Sequence, residues 1–95
     1  MSTFTNEKVR EVSQFLQEYM RRRSRASMTS DECADVLSWG NILSNQVGAK
    51  PGFNFRQMLR DGRDGHIHRV AGASQERLHS KWLIRFMPPL PSPLG

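Results

Sequence analysis

A single cysteine, Cys33, stands among these 95 residues, so the chain can form no internal disulfide and holds no Cys-x-x-Cys metal pair. A reducing cytoplasm is the compartment expected for such a chain. Long apolar runs are missing as well. No window approaches the ~20 apolar residues of a membrane-spanning helix, and the opening MSTFTNEKVREV lacks the apolar core of a signal peptide. No membrane partner is expected. A glycine-rich phosphate loop, an HExxH pair and a Ser-His-Asp arrangement in readable context are also absent. Asp31, Glu32 and Asp35 are better explained by helix capping and exposure than by paired-carboxylate catalysis. His66 and His68 fall on one side of a strand-like run and His79 lies beyond it, but no fourth ligand accompanies them, so no metal is expected. The chain is read as no enzyme, and no cofactor is implied.

What the sequence does have is positive charge. Fourteen Lys and Arg outnumber nine Asp and Glu, for a net charge of +5, which favours polyanions or an acidic partner. At this length one small domain with a limited core is expected.

After a frayed lead-in over residues 1–5, Val9, Val12, Phe15, Leu16, Tyr19 and Met20 recur at steps of three and four and predict an amphipathic helix from Asn6. Glu7 and Glu11 sit near its start and Arg21, Arg22 and Arg23 at its end, the polarity a helix dipole favours. With Arg25 these form four arginines in five residues. They read either as a phosphate-contacting patch or as a solvated, dipole-matched terminus. Next, Thr29 and Glu32 have capping-box spacing, with Met28 and Cys33 at the staple positions. The helix they start runs through Val36 and Leu37 towards Trp39, and Gly40 is its natural stop. Cys33 reads as a small core residue rather than a nucleophile.

Residues 41–52 form a connector anchored by Ile42 and Leu43 and ending in the turn dipeptide Pro51-Gly52. The stretch KPGFNFRQMLRDG follows from Lys50. It predicts a short helix capped by Asn54, with Gln57 completing a capping box, Phe53 and Met58 as the staple, and Gly62 as the left-handed stop. Phe55, Met58 and Leu59 share one face; Arg56, Gln57 and Arg60 point elsewhere. Beyond a turn at residues 63–65, two strand-like runs, 66–71 and 81–86, predict a hairpin with a long polar tip. Trp82, Ile84 and Phe86 alternate onto one face, whereas Ile67 and Val70 differ in parity, so the first strand is expected to bulge or start late. The proline-rich tail, residues 88–95, is expected to be extended, disordered and polyproline-like. Arg85, Pro88 and Pro91 fit the spacing of a polyproline ligand, a match made cheap by four nearby prolines.

Helix, helix, a turn-linked short helix and then a hairpin is an order that resembles a winged helix-turn-helix domain over roughly residues 5–87. The residues carrying the resemblance are Pro51-Gly52, the run Phe55-Arg56-Gln57-Met58-Leu59-Arg60-Asp61-Gly62, and the closing Trp82-Leu83-Ile84-Arg85. The expected fold class is thus α+β, a small winged-helix-like domain with three helices followed by a β-hairpin in residues 6–87. Compactness suggests a small bacterial or mobile-element protein. The resemblance implies a cytoplasmic DNA-binding regulator whose third helix enters the major groove of double-stranded DNA, with Arg56, Gln57 and Arg60 as readers. Gln75, Arg77 and Lys81 would lie along the backbone or minor groove, and Lys50 and Asn54 would hold a phosphate at the helix start. Two departures stand out. The connector exceeds the 3–4-residue turn of a tight helix-turn-helix, and Asp61 and Asp64 place negative charge beside the reading helix. The alternative is a protein-interaction module on the same fold, a homodimer included, with Trp39 beside Ile42 and Leu43 as its contact.

Overall fold

The computed structural model describes residues 3–45, 50–75, 77 and 80–88. His79 and the tail beyond Pro88 lie outside the described residues. Among the described residues, three helices and a three-stranded antiparallel sheet make a small α+β domain, in the order α1 (Asn6–Arg23), β1 (Ser27–Thr29), α2 (Ser30–Trp39), α3 (Phe53–Arg63), β2 (Ala73–Gln75) and β3 (Trp82–Arg85). The sheet order is β1-β3-β2.

The apolar stripe of α1 is buried as its spacing demands, with Val9, Val12, Leu16 and Met20 in the core. Thr5 caps the helix, its hydroxyl accepting the Lys8 N–H at 3.0 Å, and Phe4 packs against the core. The Thr29–Glu32 capping box starts α2, with both reciprocal bonds made. Cys33 is fully buried beside Met28, Val36 and Leu37, and burial pushes its thiol up to about 12, which makes it an inert core residue.

All three helices end the same way. The N–H groups of Arg25, Ile42 and His66 reach back five residues to the carbonyls of Met20, Leu37 and Asp61. Each residue just before them, Ser24, Asn41 or Gly65, takes a positive φ, the geometry of a Schellman closure. Gly65, not Gly62, is therefore the left-handed stop of α3. Gly62 lies inside the helix for another reason: a Cβ there would sit 3.0 Å from the Arg69 Cα and the His68 carbonyl oxygen. The start of α3 also differs from expectation. Its N-cap is Gly52 at φ 84, without a side-chain cap. The Asn45 side chain accepts the Gly52 N–H, while Asn54 donates to the Ser44 carbonyl at 3.2 Å and Gln57 to Asp61 at 2.8 Å. Asn54 and Gln57 form no capping box.

The expected hairpin of residues 66–71 with 81–86 is not formed. Residues 66–71 are not a strand, because side chains of α1 take up their backbone groups. The His68 N–H donates to Asn6 Oδ1 at 2.8 Å, the Ala71 N–H donates to Ser13 Oγ at 3.0 Å, and Gln17 Nε2 donates to the Ala71 carbonyl at 3.3 Å. Val70 turns into the core. β3 pairs instead with β2 on one side and with β1 on the other, where Met28 faces Ile84, both buried. Gly72 holds the crossing to β2: it has φ 79, a Cβ on it would overlap the Arg85 carbonyl oxygen, and its own carbonyl accepts the Arg85 N–H at 2.9 Å. Only glycine suits both demands.

Candidate nucleic-acid interface

Because Phe55, Met58 and Leu59 are buried, the opposite side of α3 presents Arg56, Arg60 and Arg63 at i, i+4 and i+7. These positions stack on one face over about 10 Å of helix. They line a cleft of about 470 Å³ whose other walls come from Ser30 and Asp31 at the start of α2 and from Gln75, Lys81 and Trp82 on the sheet side. Arg63 is a residue that sequence reasoning missed. Ending the helix at Gly62 places it in a turn, yet the spacing from Arg56 and Arg60 already points to it.

The cleft's side chains are held by one another. Arg56 donates to Asp31 Oδ1 at 3.2 Å and to the Pro51 carbonyl at 3.3 Å. Arg60 donates to Gln57 Oε1 at 2.8 Å and lies over the Phe53 ring, 5.4 Å from its centroid. Arg63 donates to Gln75 Oε1 at 3.1 Å, and Gln75 donates on to the Ser80 carbonyl at 2.8 Å. Arg63 also donates to Asp64 at 3.0 Å and holds that carboxyl below its ordinary range. Asp61 is buried and bonded to Gln57, so it does not project beside the arginines. Of the two acids expected to oppose phosphate, only Asp64 is exposed, and Arg63 is bonded to it.

The cleft extends both ways. Past Arg56 and Asp31 it meets a hollow lined by Lys50, Asp35 and Gly52. Past Arg63, Gln75 and Trp82 it meets a second hollow bearing Arg69 and Arg77. Among the described residues, seven cations line this band against two acids, Asp31 and Asp35. Lys50, Arg56, Arg60, Gln75, Arg77 and Lys81 are thus brought together, while Asn54 and Gln57 are half-buried and used in bonds within the fold.

Residues 21–25 lie outside the band. Arg21 and Arg22 both bond Glu18, Arg21 Nε at 2.8 Å and Arg22 Nε at 2.9 Å, and through those bonds lower its carboxyl to about 2. Arg23 lies over the Tyr19 ring, 5.1 Å from its centroid. Arg25 donates to Glu32 at 2.9 Å and to the Ser27 carbonyl at 3.2 Å.

Among the described residues no cluster of three metal-ligating side chains occurs, and no helix is long and apolar enough to cross a membrane. No protein-family model, no curated protein and no solved structure matches the chain.

Proposed function

We propose that this chain is a small basic DNA-binding domain of the winged helix-turn-helix kind, serving as a regulator that lays α3 in the major groove of a duplex. The observation that carries this reading is the continuous basic band on α3 and the adjoining sheet end, from Lys50 to Arg77. Arg56 and Arg60 are the readers, since a guanidinium matches the paired acceptors of guanine in the major groove. Arg63 joins them on the same face. Lys50, Arg77 and Lys81 flank that helix on both sides and suit the phosphate backbone, where contacts set position rather than sequence. The order of three helices followed by two paired strands supports the same reading, and the strand between α1 and α2 adds a third strand to that sheet.

The experiment is a duplex titration of wild type against Arg56→Ala/Arg60→Ala at low salt. Affinity is expected to fall about 100-fold, from about 1.4 kcal/mol per reader. Equal affinity for the two proteins removes α3 from the account.

Trp39 favours a second reading, a protein-interaction module formed by two copies of the chain. The residue is 76% exposed at the end of α2, where Gly40 lies so close to the Phe15 ring of α1 that a Cβ would come within 2.7 Å. Phe15, Tyr19 and Ile42 line a shallow cleft there together with Glu11, Glu18 and Arg22. Glu11 lies towards one end of this stretch of α1 and Arg22, bonded to Glu18, at the other, so a second copy laid antiparallel brings each Glu11 opposite an Arg22, which suits a two-fold interface. A dimer seen by sedimentation at micromolar concentration and lost in Trp39→Ala supports this reading; a monomer at every concentration removes it.

A further inference from the structure

At one end of the band assigned to DNA, the hollow between α3 and the β2–β3 end of the sheet has a chemistry of its own. Its volume is about 400 Å³, and Leu59, Val70, Ala73 and the half-buried Trp82 supply an apolar floor. Arg63, Arg69 and Arg77 stand around that floor, and among the described residues no acidic side chain lines it. Arg63 is fixed by Gln75, which Ser80 holds in turn. The guanidinium groups of Arg69 and Arg77 have no ion pair or hydrogen bond among the described residues, unlike those of Arg56, Arg60 and Arg63. Phosphate contact along a duplex calls for cations and needs no apolar floor. A concave site that joins an apolar floor to a few converging charged groups instead has the composition of a small-molecule pocket, and its size lies within the usual ~300–1,000 Å³.

We propose that this hollow binds a small organic anion with a flat apolar body, the ring against Trp82 and Val70 and a carboxylate, sulfonate or phosphate head among Arg63, Arg69 and Arg77. The bidentate fork of arginine fits such a head, and an aromatic body gains from the indole face. The pocket shares Arg63 and Arg77 with the surface assigned to DNA, but small-anion binding is read without a duplex, so either reading can fail while the other stands.

The probe is 8-anilinonaphthalene-1-sulfonate, titrated against the full chain carrying Trp39→Phe, which leaves Trp82 as the one tryptophan donor for energy transfer to the bound probe. One-to-one binding with quenching of Trp82 is expected. Arg69→Ala/Arg77→Ala, two exposed positions, should weaken that binding at least tenfold while far-UV circular dichroism and the melting curve stay as in the parent. The uncharged analogue N-phenyl-1-naphthylamine should bind more weakly than the sulfonate to the parent and be insensitive to the double substitution. Equal sulfonate affinity in the parent and the double variant would overturn the proposal. So would sulfonate binding that leaves Trp82 emission unchanged.

Discussion

Arg21, Arg22, Arg23 and Arg25 are nearly consecutive in sequence, whereas Arg56, Arg60 and Arg63 are spread over eight positions. Folding reverses the impression this gives. The dense run ends at the tip of α1, where each guanidinium is engaged by a near neighbour: Glu18, the Tyr19 ring or Glu32. The sparse set stacks on one helical face, and the chain's return through Trp82 and Lys81 builds the facing wall. Charge density along the chain is therefore a poor guide to charge density on the surface. Helical period and long-range packing decide which cations converge. The dense run also matches the dipole at the end of α1, with three basic residues in its last turn, and this structural role accounts for it without a ligand.

The largest expected effect comes from removing the support of the cleft's sheet wall. Gly72→Ala forces a Cβ into the Arg85 carbonyl at a positive φ and should cost about 3 kcal/mol in a denaturant melt. Loss of duplex affinity alongside that destabilisation would tie the sheet to the interface; a wild-type melt would mean that the crossing at Gly72 is not as tight as described. Thr29→Ala acts at the start of α2, next to the Asp31 that holds Arg56, and should destabilise by about 1 kcal/mol through loss of the cap.

Acid sharpens the same point. The Thr29 backbone N–H, followed by Arg25, holds the Glu32 carboxyl below its ordinary 4.5. Its contribution is thus fully present above that value and is lost as pH falls through the lower, folded one. The stability gap between wild type and Glu32→Gln, measured by urea melts, should narrow as pH falls below 4.5 and the carboxyl of the wild type is protonated. A gap that stays constant on acidification would show that the Glu32 charge contributes nothing to the fold. The smallest effect belongs to the dense run: Arg21→Ala/Arg22→Ala should change duplex affinity less than twofold, read by fluorescence anisotropy. A tenfold loss would break the contrast between the two arginine groups.

The elements legible in the sequence are those decided locally. The stripe of α1 and the Thr29–Glu32 box need only neighbours within a few residues, and both form as read. Where partners come from far along the chain, local patterns mislead. Residues 66–71 look strand-like, yet Asn6 and Ser13, 62 and 58 positions away, take two of their N–H groups. β1 is three residues long and exists through its pairing with β3, a contact no local window contains. The start of α3 is misread for the same reason. Its Gly52 is held by Asn45 across the connector, which frees Asn54 and Gln57 for other bonds. For the site, Arg56 and Arg60 are legible from period alone, and Arg63 is missed through one misplaced helix end. The contribution of Arg69 depends on residues 68–69 packing against Gly62, which only the folded chain provides.

The salt dependence of duplex binding tests the central claim most directly. Log affinity should fall steeply and linearly with log salt for wild type, because each phosphate contact releases counterions. Lys50→Ala/Lys81→Ala should flatten that slope by about one for each phosphate no longer neutralised, while Arg21→Ala/Arg22→Ala leaves it unchanged. A slope that flattens for the α1 pair and not for the cleft lysines, or no duplex binding even at low salt, would contradict the account.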